Sequence, residues 1–309
     1  MPPNRNCHSR QRVVGRAAIA VLFALCAVTG LTARASAADP VWDRMTSGIM
    51  ATLWDPAACP GIPPLLMLQI DPERHRFSVH QFRDAGMTAP MTINEWQHHT
   101  GGYVLFNAGL FREDYSYLGL LLKDGRPLGS KRHHSWQGLF AAEPKDVSQR
   151  KAGVFDLAFD IFPDVHQHFP YREAAQSLML LDRTGKPRVR PTGKRANQTI
   201  VAEDGEGKIL IMKSVGPAPL YGLAECLRGA LPNIRQAMAM DGGSSSDVIA
   251  SPELLGAVPD PGRQQKWHAM LDGDAQHHIG LPAVIVVRPR ITARSAPDRT
   301  ASQTPPPDR

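Results

Sequence analysis

Eight short apolar runs, each closed off by Gly, Pro or Asp, constrain this chain more than any other feature. They lie at 64–70, 76–82, 102–109, 117–125, 152–160, 177–189, 198–214 and 282–290. Apolar runs of this size between turn formers read as strands. Two of them carry internal turns, Asp182-Arg183-Thr184-Gly185 and Asp204-Gly205-Glu206-Gly207, so each is expected to be a β-hairpin. Helical periodicity is rarer. In 218–231, Leu220, Leu223, Ala224 and Leu227 form one apolar stripe. In 92–100, Thr92 stands as N-cap with Glu95 as its capping-box partner. Strand groups separated by few helices predict an α+β fold: a mixed, largely antiparallel sheet with a few flanking helices. No internal repeat or linker interrupts 40–290, which is read as a single domain.

The ends are different in kind. Arg5, Arg10, Arg12 and Arg16 precede an apolar run at 17–31, and Ala35 and Ala37 supply a small-residue cleavage site. That pattern is a secretory signal peptide over 1–37, cut after Ala37, and it predicts a secreted or periplasmic protein. The run is shorter than the roughly twenty residues a membrane span needs, so no stable span is expected. Leu25 before Cys26 weakens a lipoprotein reading. The segment 291–309, rich in Pro, Ser, Thr and Arg, is expected to be disordered.

Charge follows the ends. The chain holds 35 Lys and Arg against 29 Asp and Glu, but 38–287 holds 25 against 27. A basic balance confined to the termini gives no warrant for nucleic-acid binding. Cys7 and Cys26 belong to the leader, leaving Cys59 and Cys226, for which one bridge and two free thiols both fit. No CxxC pattern suggests redox or zinc chemistry.

Chemistry concentrates in 237–250, AMAMDGGSSSDVIA. Asp-Gly between apolar runs is a strong hairpin signal. Two glycines also let a ligand approach the backbone, and successive amides with three hydroxyls make an anion-binding nest. Asp241 beside such a nest would serve as a base, a nucleophile or a sugar-hydroxyl acceptor. A second unusual stretch is 106–125, where a strand ends in Asn107-Ala108-Gly109. By itself it reads as a strand terminus with a glycine bend.

Together the two stretches resemble the phosphodiester glycosidase family, in order along the chain. The matching features are Glu95-Trp96, the N-A-G-x-F signature from Asn107 to Phe111 with Asp114 and Gly119-Leu120 following, and Gln176-Ser177 in an apolar strand. After these come the 218–231 helix, the D-G-G-x-S-S loop from Asp241 to Ser246, and a closing apolar strand after Pro282. The resemblance implies an exported, bacterial-type hydrolase cleaving sugar-1-phosphodiester bonds in envelope or extracellular glycans. It implies Asp241 and Asn107 as catalytic residues. Gly109, Asp114, Gln176, Ser177, Arg195, Gly242, Gly243, Ser244, Ser245 and Ser246 would bind substrate, with Asp114 and Asp247 the nearest acid partners. Where the family places an Arg ahead of a strand, this chain has Gln198, and Arg195 lies three residues earlier. Loss of a fixed guanidinium removes a bidentate phosphate clamp, which favours an alternative: a non-catalytic glycan- or phosphate-binding protein on the same fold.

No cofactor and no metal is expected, and the partner is a glycan or sugar-phosphate substrate. Asp164, His166 and His168 alternate along one extended face, a spacing metals use, but a solvated or substrate-facing strand explains them better. The run Arg183, Lys186, Arg188, Arg190, Lys194, Arg195 contains no acid; it reads as a solvated loop, or as a surface for an anionic envelope polymer.

Overall fold

A computed structural model describes residues 39–163, 168–271 and 278–290. The leader with its Ala37 site, the tail from 291, and Asp164 and His166 lie outside the described residues. The chain opens with β1 (Asp43–Thr46), β2 (Ile49–Trp54), β3 (Leu65–Ile70) and β4 (His75–Gln81). Helix α1 (Ile93–Thr100) leads to β5 (Val104–Asn107), β6 (Leu121–Lys123) and β7 (Arg126–Pro127). Next come β8 (Gly138–Pro144), β9 (Ala152–Asp156), β10 (Tyr171–Leu181), β11 (Arg195–Ala196), β12 (Thr199–Asp204), β13 (Ile209–Ser214) and β14 (Ala218–Pro219). After α2 (Leu220–Ala230) follow β15 (Ile234–Ala239), the 3-10 turn Gly243–Ser245, β16 (Val248–Ala250), α3 (Pro252–Gly256), α4 (Pro261–Leu271) and β17 (Ala283–Pro289).

The strands form two main sheets, antiparallel at every pair. The larger runs β1-β2-β3-β13-β12-β15-β10-β6-β7, with β8 and β9 attached through β10; the smaller runs β16-β5-β17-β4. Period-two alternation sorts their faces. Leu66, Leu68 and Ile70 of β3 meet Phe106, Ile285 and Val287 of the smaller sheet in one core. Leu65 and Met67 point the other way, onto Leu223, Ala224 and Leu227 of α2. Likewise Val284 and Val286 turn outward onto Ile93 and Trp96 of α1. The result is a helix, two sheets and a helix in layers, an α+β fold. Burial on both faces explains why these strands read as continuous apolar runs.

Local signals mostly did what their chemistry requires. Thr92 accepts the Glu95 amide while Glu95 accepts the Thr92 amide, a complete capping box. The turn at 204–207 joins β12 and β13 as a hairpin. The turn at 182–185 forms, but its return strand shrinks to a single bridge from Leu181 to Pro187. Cys59 and Cys226 are bridged with Cα atoms 5.5 Å apart, tying α2 to the loop after β2. No helix among the described residues is long and apolar enough to cross a membrane.

Candidate active site

The segment AMAMDGGSSSDVIA is not a hairpin. Its first apolar half is β15 in the larger sheet, and its second is β16 in the smaller one. Residues 240–247 therefore cross between the sheets, at one end of the core. A crossing loop leaves backbone groups without ladder partners, and each must be satisfied locally.

Asn107 satisfies several of them. Its Nδ2 donates to the Asp241 carbonyl at 2.7 Å, and its Oδ1 accepts the Asp247 amide at 3.1 Å. The Asp241 amide donates to the Ala108 carbonyl at 3.2 Å. One buried carboxamide thus fastens both ends of the loop to the end of β5. Asn107 positions Asp241, and both of its polar atoms are engaged in doing so.

Gly242 and Gly243 serve different needs. A Cβ on Gly242 would lie 2.9 Å from the Asn197 carbonyl and 3.1 Å from Oε1 of Gln198, so there is no room for one. Gly243 has φ +70° with open space around its Cβ position, so here backbone conformation is the requirement. The Gly243 amide donates to the Asn197 carbonyl at 2.8 Å and the Ser246 amide to the Gly243 carbonyl at 3.3 Å. The Gly242 amide bonds the Asp241 carboxylate. These three amides have partners inside the protein. The hydroxyl of Ser244, the exposed serine of the three, stands at the surface of the loop.

Burial pushes the Asp241 carboxyl above the ordinary aspartate range, against the opposing pull of hydrogen bonds from the Ser245 hydroxyl and the Gly242 amide. Ser246 bonds Thr199 across the loop at 2.8 Å. Asp247 is buried between Lys213 and His278. Lys213 Nζ lies 2.9 Å from Oδ1, and His278 Nδ1 bonds Oδ2. Asp247 is therefore committed to holding the loop between β13 and the approach to β17.

The opposite wall comes from β10. Gly109 donates its amide to the Tyr117 hydroxyl at 3.0 Å, which donates on to the Gln176 carbonyl at 2.8 Å. A Cβ on Gly109 would meet both atoms within 2.7 Å, so the N-A-G glycine is a packing requirement. Burial, with Asp241 close by, raises the Tyr117 phenol above its ordinary value. The Gln176 side chain is spent on the backbone of Leu120, His133 and Trp136, bracing the 129–137 loop. Ser177 is wholly buried beside Gly109, and its hydroxyl has no partner among the described residues.

Asn107, Gly109, Gln176, Ser177 and 241–246 thus come together. Two other expected residues are engaged elsewhere. The Asp114 carboxylate closes an exposed turn by accepting the Ser116 amide and hydroxyl. Arg195 directs Nη2 at the carbonyls of Gly61 and Pro217, both at 2.8 Å. Gln198 occupies the wall beside Gly242, its Nε2 bonded to the Ala218 carbonyl at 3.3 Å. Tyr117, Thr199, Lys213 and His278 were missed from sequence. A lone lysine ending the apolar run ILIMK was the available signal for Lys213. Among the described residues, no group of three or more His, Cys, Asp or Glu is placed to hold a metal ion.

This is an α+β protein in which a glycine-serine loop, with a half-buried Asp241 at its start and a buried Asp247 at its end, joins two sheets beside the end of β5 and the wall of β10. Residues 100–272, more than half of the chain, match the phosphodiester glycosidase family, and the chain belongs to that family. No curated protein matches this sequence. In three dimensions it is similar to a hypothetical protein from Synechocystis, at 14% identity and a TM-score of 0.55 over 81% of this chain. The match spans 64% of the Synechocystis chain. It is also similar to the catalytic domain of zebrafish N-acetylglucosamine-1-phosphodiester alpha-N-acetylglucosaminidase, auto-inhibited by its pro-peptide. That match has 15% identity, a TM-score of 0.51, and covers 74% of this chain and 78% of the other. At these identities the likeness is one of fold.

Proposed function

We propose that the protein is an exported hydrolase that cleaves the bond between a sugar anomeric carbon and a phosphodiester. The observation that carries this reading is the meeting of Asp241, the Asn107 bracket and the Gly109–Gln176 wall at one end of the core. Asp241 is the carboxylate suited to general-base work, since burial moves its ionisation toward neutrality, where a base is most effective. In the proposed step, Asp241 takes a proton from water, the water oxygen bonds to the anomeric carbon, and the bond from that carbon to the bridging oxygen breaks while the oxygen stays on phosphorus. The electron pair leaves on a phosphate oxygen. A phosphomonoester ionises near pH 6, so it departs as a stable anion without an obligatory proton donor. One carboxylate is then sufficient, in keeping with Asp114 and Asp247 being engaged elsewhere. Export is supported by the leader pattern, and the Cys59–Cys226 bridge fits an oxidising compartment.

The second reading, a glycan- or phosphate-binding protein without turnover, is favoured by neutral Gln198 beside Gly242. Incubation of the purified protein with a panel of sugar-1-phosphodiesters, followed by phosphorus NMR, separates the two. Appearance of a phosphomonoester resonance is the expected result. Saturable binding with no new resonance would favour the second reading.

A further inference from the structure

Between Asp182 and Glu203 the chain carries six Lys or Arg and no acid, although 38–287 as a whole is nearly balanced. Arg188 is accounted for by the core, with Nη1 3.0 Å from Asp156 and 3.5 Å from Asp182. Among the described residues it alone of the six takes part in an ion pair. Arg183, Lys186, Arg190, Lys194 and Arg195 are exposed. Two of them are held in place by uncharged partners: Arg183 lies 4.8 Å from the centroid of the half-exposed Phe159 ring, and Arg195 rests on two backbone carbonyls. Holding a guanidinium by a ring and by carbonyls fixes its place and leaves its charge uncompensated.

The segment also has a direction. It ends in Asn197 and Gln198, whose carbonyl and side chain form the wall against Gly242 and Gly243. The stretch of chain that carries these exposed cations, none of them ion-paired among the described residues, therefore leads along the sequence to the wall of the Asp241 loop. A single phosphodiester at the loop would engage only its near end.

We propose that this stretch binds a polyanionic substrate, a polymer of phosphodiester-linked sugars, and feeds one linkage at a time to the Asp241 loop. The proposal rests on the reading of the loop as a phosphodiester glycosidase site, and it adds the length and charge of the substrate. Exposed ion contacts are individually weak but add when several engage one polymer, and salt screens them.

The test compares a long polymer of sugar-1-phosphate repeats with its single-repeat phosphodiester, on the wild type and on one variant. The variant combines Arg183→Gln, Lys186→Gln, Arg190→Gln and Lys194→Gln, leaving Arg195 and the loop intact. The wild type should bind the polymer more tightly than the single repeat and lose that advantage as salt is raised. The variant should bind the polymer about tenfold more weakly at low salt, the size that four exposed contacts provide. Its kcat/KM on the single repeat should be unchanged. Equal affinity of the wild type for polymer and single repeat, or an unaltered variant, would overturn the proposal. So would equal, equally sensitive binding of a sulfated polysaccharide, which would show an indiscriminate anion exchanger. Variant-sensitive polymer binding with no turnover of either compound would leave the binding stretch standing and remove the hydrolase reading instead. If the variant fails to fold, the salt dependence of the wild type on the two compounds decides.

Discussion

Gly242 and Gly243 stand side by side in a short signature, yet substitution should separate them. Gly243→Ala places its Cβ in open space and is strained only by φ +70°, so a loss of about 1 kcal/mol is expected. Gly242→Ala drives its Cβ against the Asn197 carbonyl and Gln198, and should cost more, roughly 1–3 kcal/mol. Chemical denaturation of the two variants checks the order, and a reversed order would mean the loop is held differently. Asn107→Ala should be worse than either. It strands the buried Asp247 amide and an Asp241 carbonyl bond together, for about 2–4 kcal/mol. At this scale the sequence was readable where chemistry is contiguous: D-G-G-x-S-S and N-A-G announce themselves. Lys213, His278 and Tyr117 were not readable, because only the pairing of distant strands brings them to the loop. The roles within the signature were equally hidden, since nothing in the letters says that the Gly242 and Gly243 amides are bonded inward.

At the scale of elements, runs bounded by turn formers were legible because a doubly covered sheet needs apolar residues on both faces. Several strands escaped, among them the two-residue β7, β11 and β14, too short to carry a pattern. In β1 and β2 the run is broken by Arg44, Thr46, Ser47 and Gly48, and in β8 Ala and Gly supply too little apolar contrast. The three-residue β16 was visible only as the far arm of a supposed hairpin. Helix α4 hides for another reason: its sequence PGRQQKWHAML buries just Trp267 and Leu271, leaving almost no stripe. Its neighbour α3 did carry a signal, Ser251 as N-cap with Pro252 at the first position. The Cys59–Cys226 bridge joins elements 167 residues apart, and a chain-entropy argument gives it on the order of 5 kcal/mol. Reduction, or a Cys59→Ser and Cys226→Ser pair, should therefore lower Tm markedly. An unchanged melting curve after complete reduction would show that the packing of α2 on β3, β12 and β13 suffices alone.

Across the whole molecule the two sheets are joined by polar seams as well as by the shared core. Glu173 of β10, in the larger sheet, reaches the edge strand of the smaller one and accepts the Val79 amide at 2.7 Å, with the Asp124 amide at 2.9 Å. Burial pushes its carboxyl up to about 7, and the nearby Asp124 and Glu143 add to the shift. The folded value is raised, so the neutral form is the one folding favours. Stability from this group is complete below the ordinary glutamate range and is lost as pH rises toward 7, by at most about 3 kcal/mol. Wild-type Tm should fall between pH 5 and 8 more steeply than that of Glu173→Gln; parallel curves would contradict the assignment. At the other seam the chain crosses between the sheets carrying Asp241. Asp241→Asn keeps the shape of the side chain and removes its charge. The decisive measurement is release of phosphomonoester from a sugar-1-phosphodiester by wild type and Asp241→Asn, with Tm recorded for both. Turnover by the wild type, abolished in the variant at nearly unchanged Tm, is the predicted result; a folded Asp241→Asn protein with full activity would contradict it.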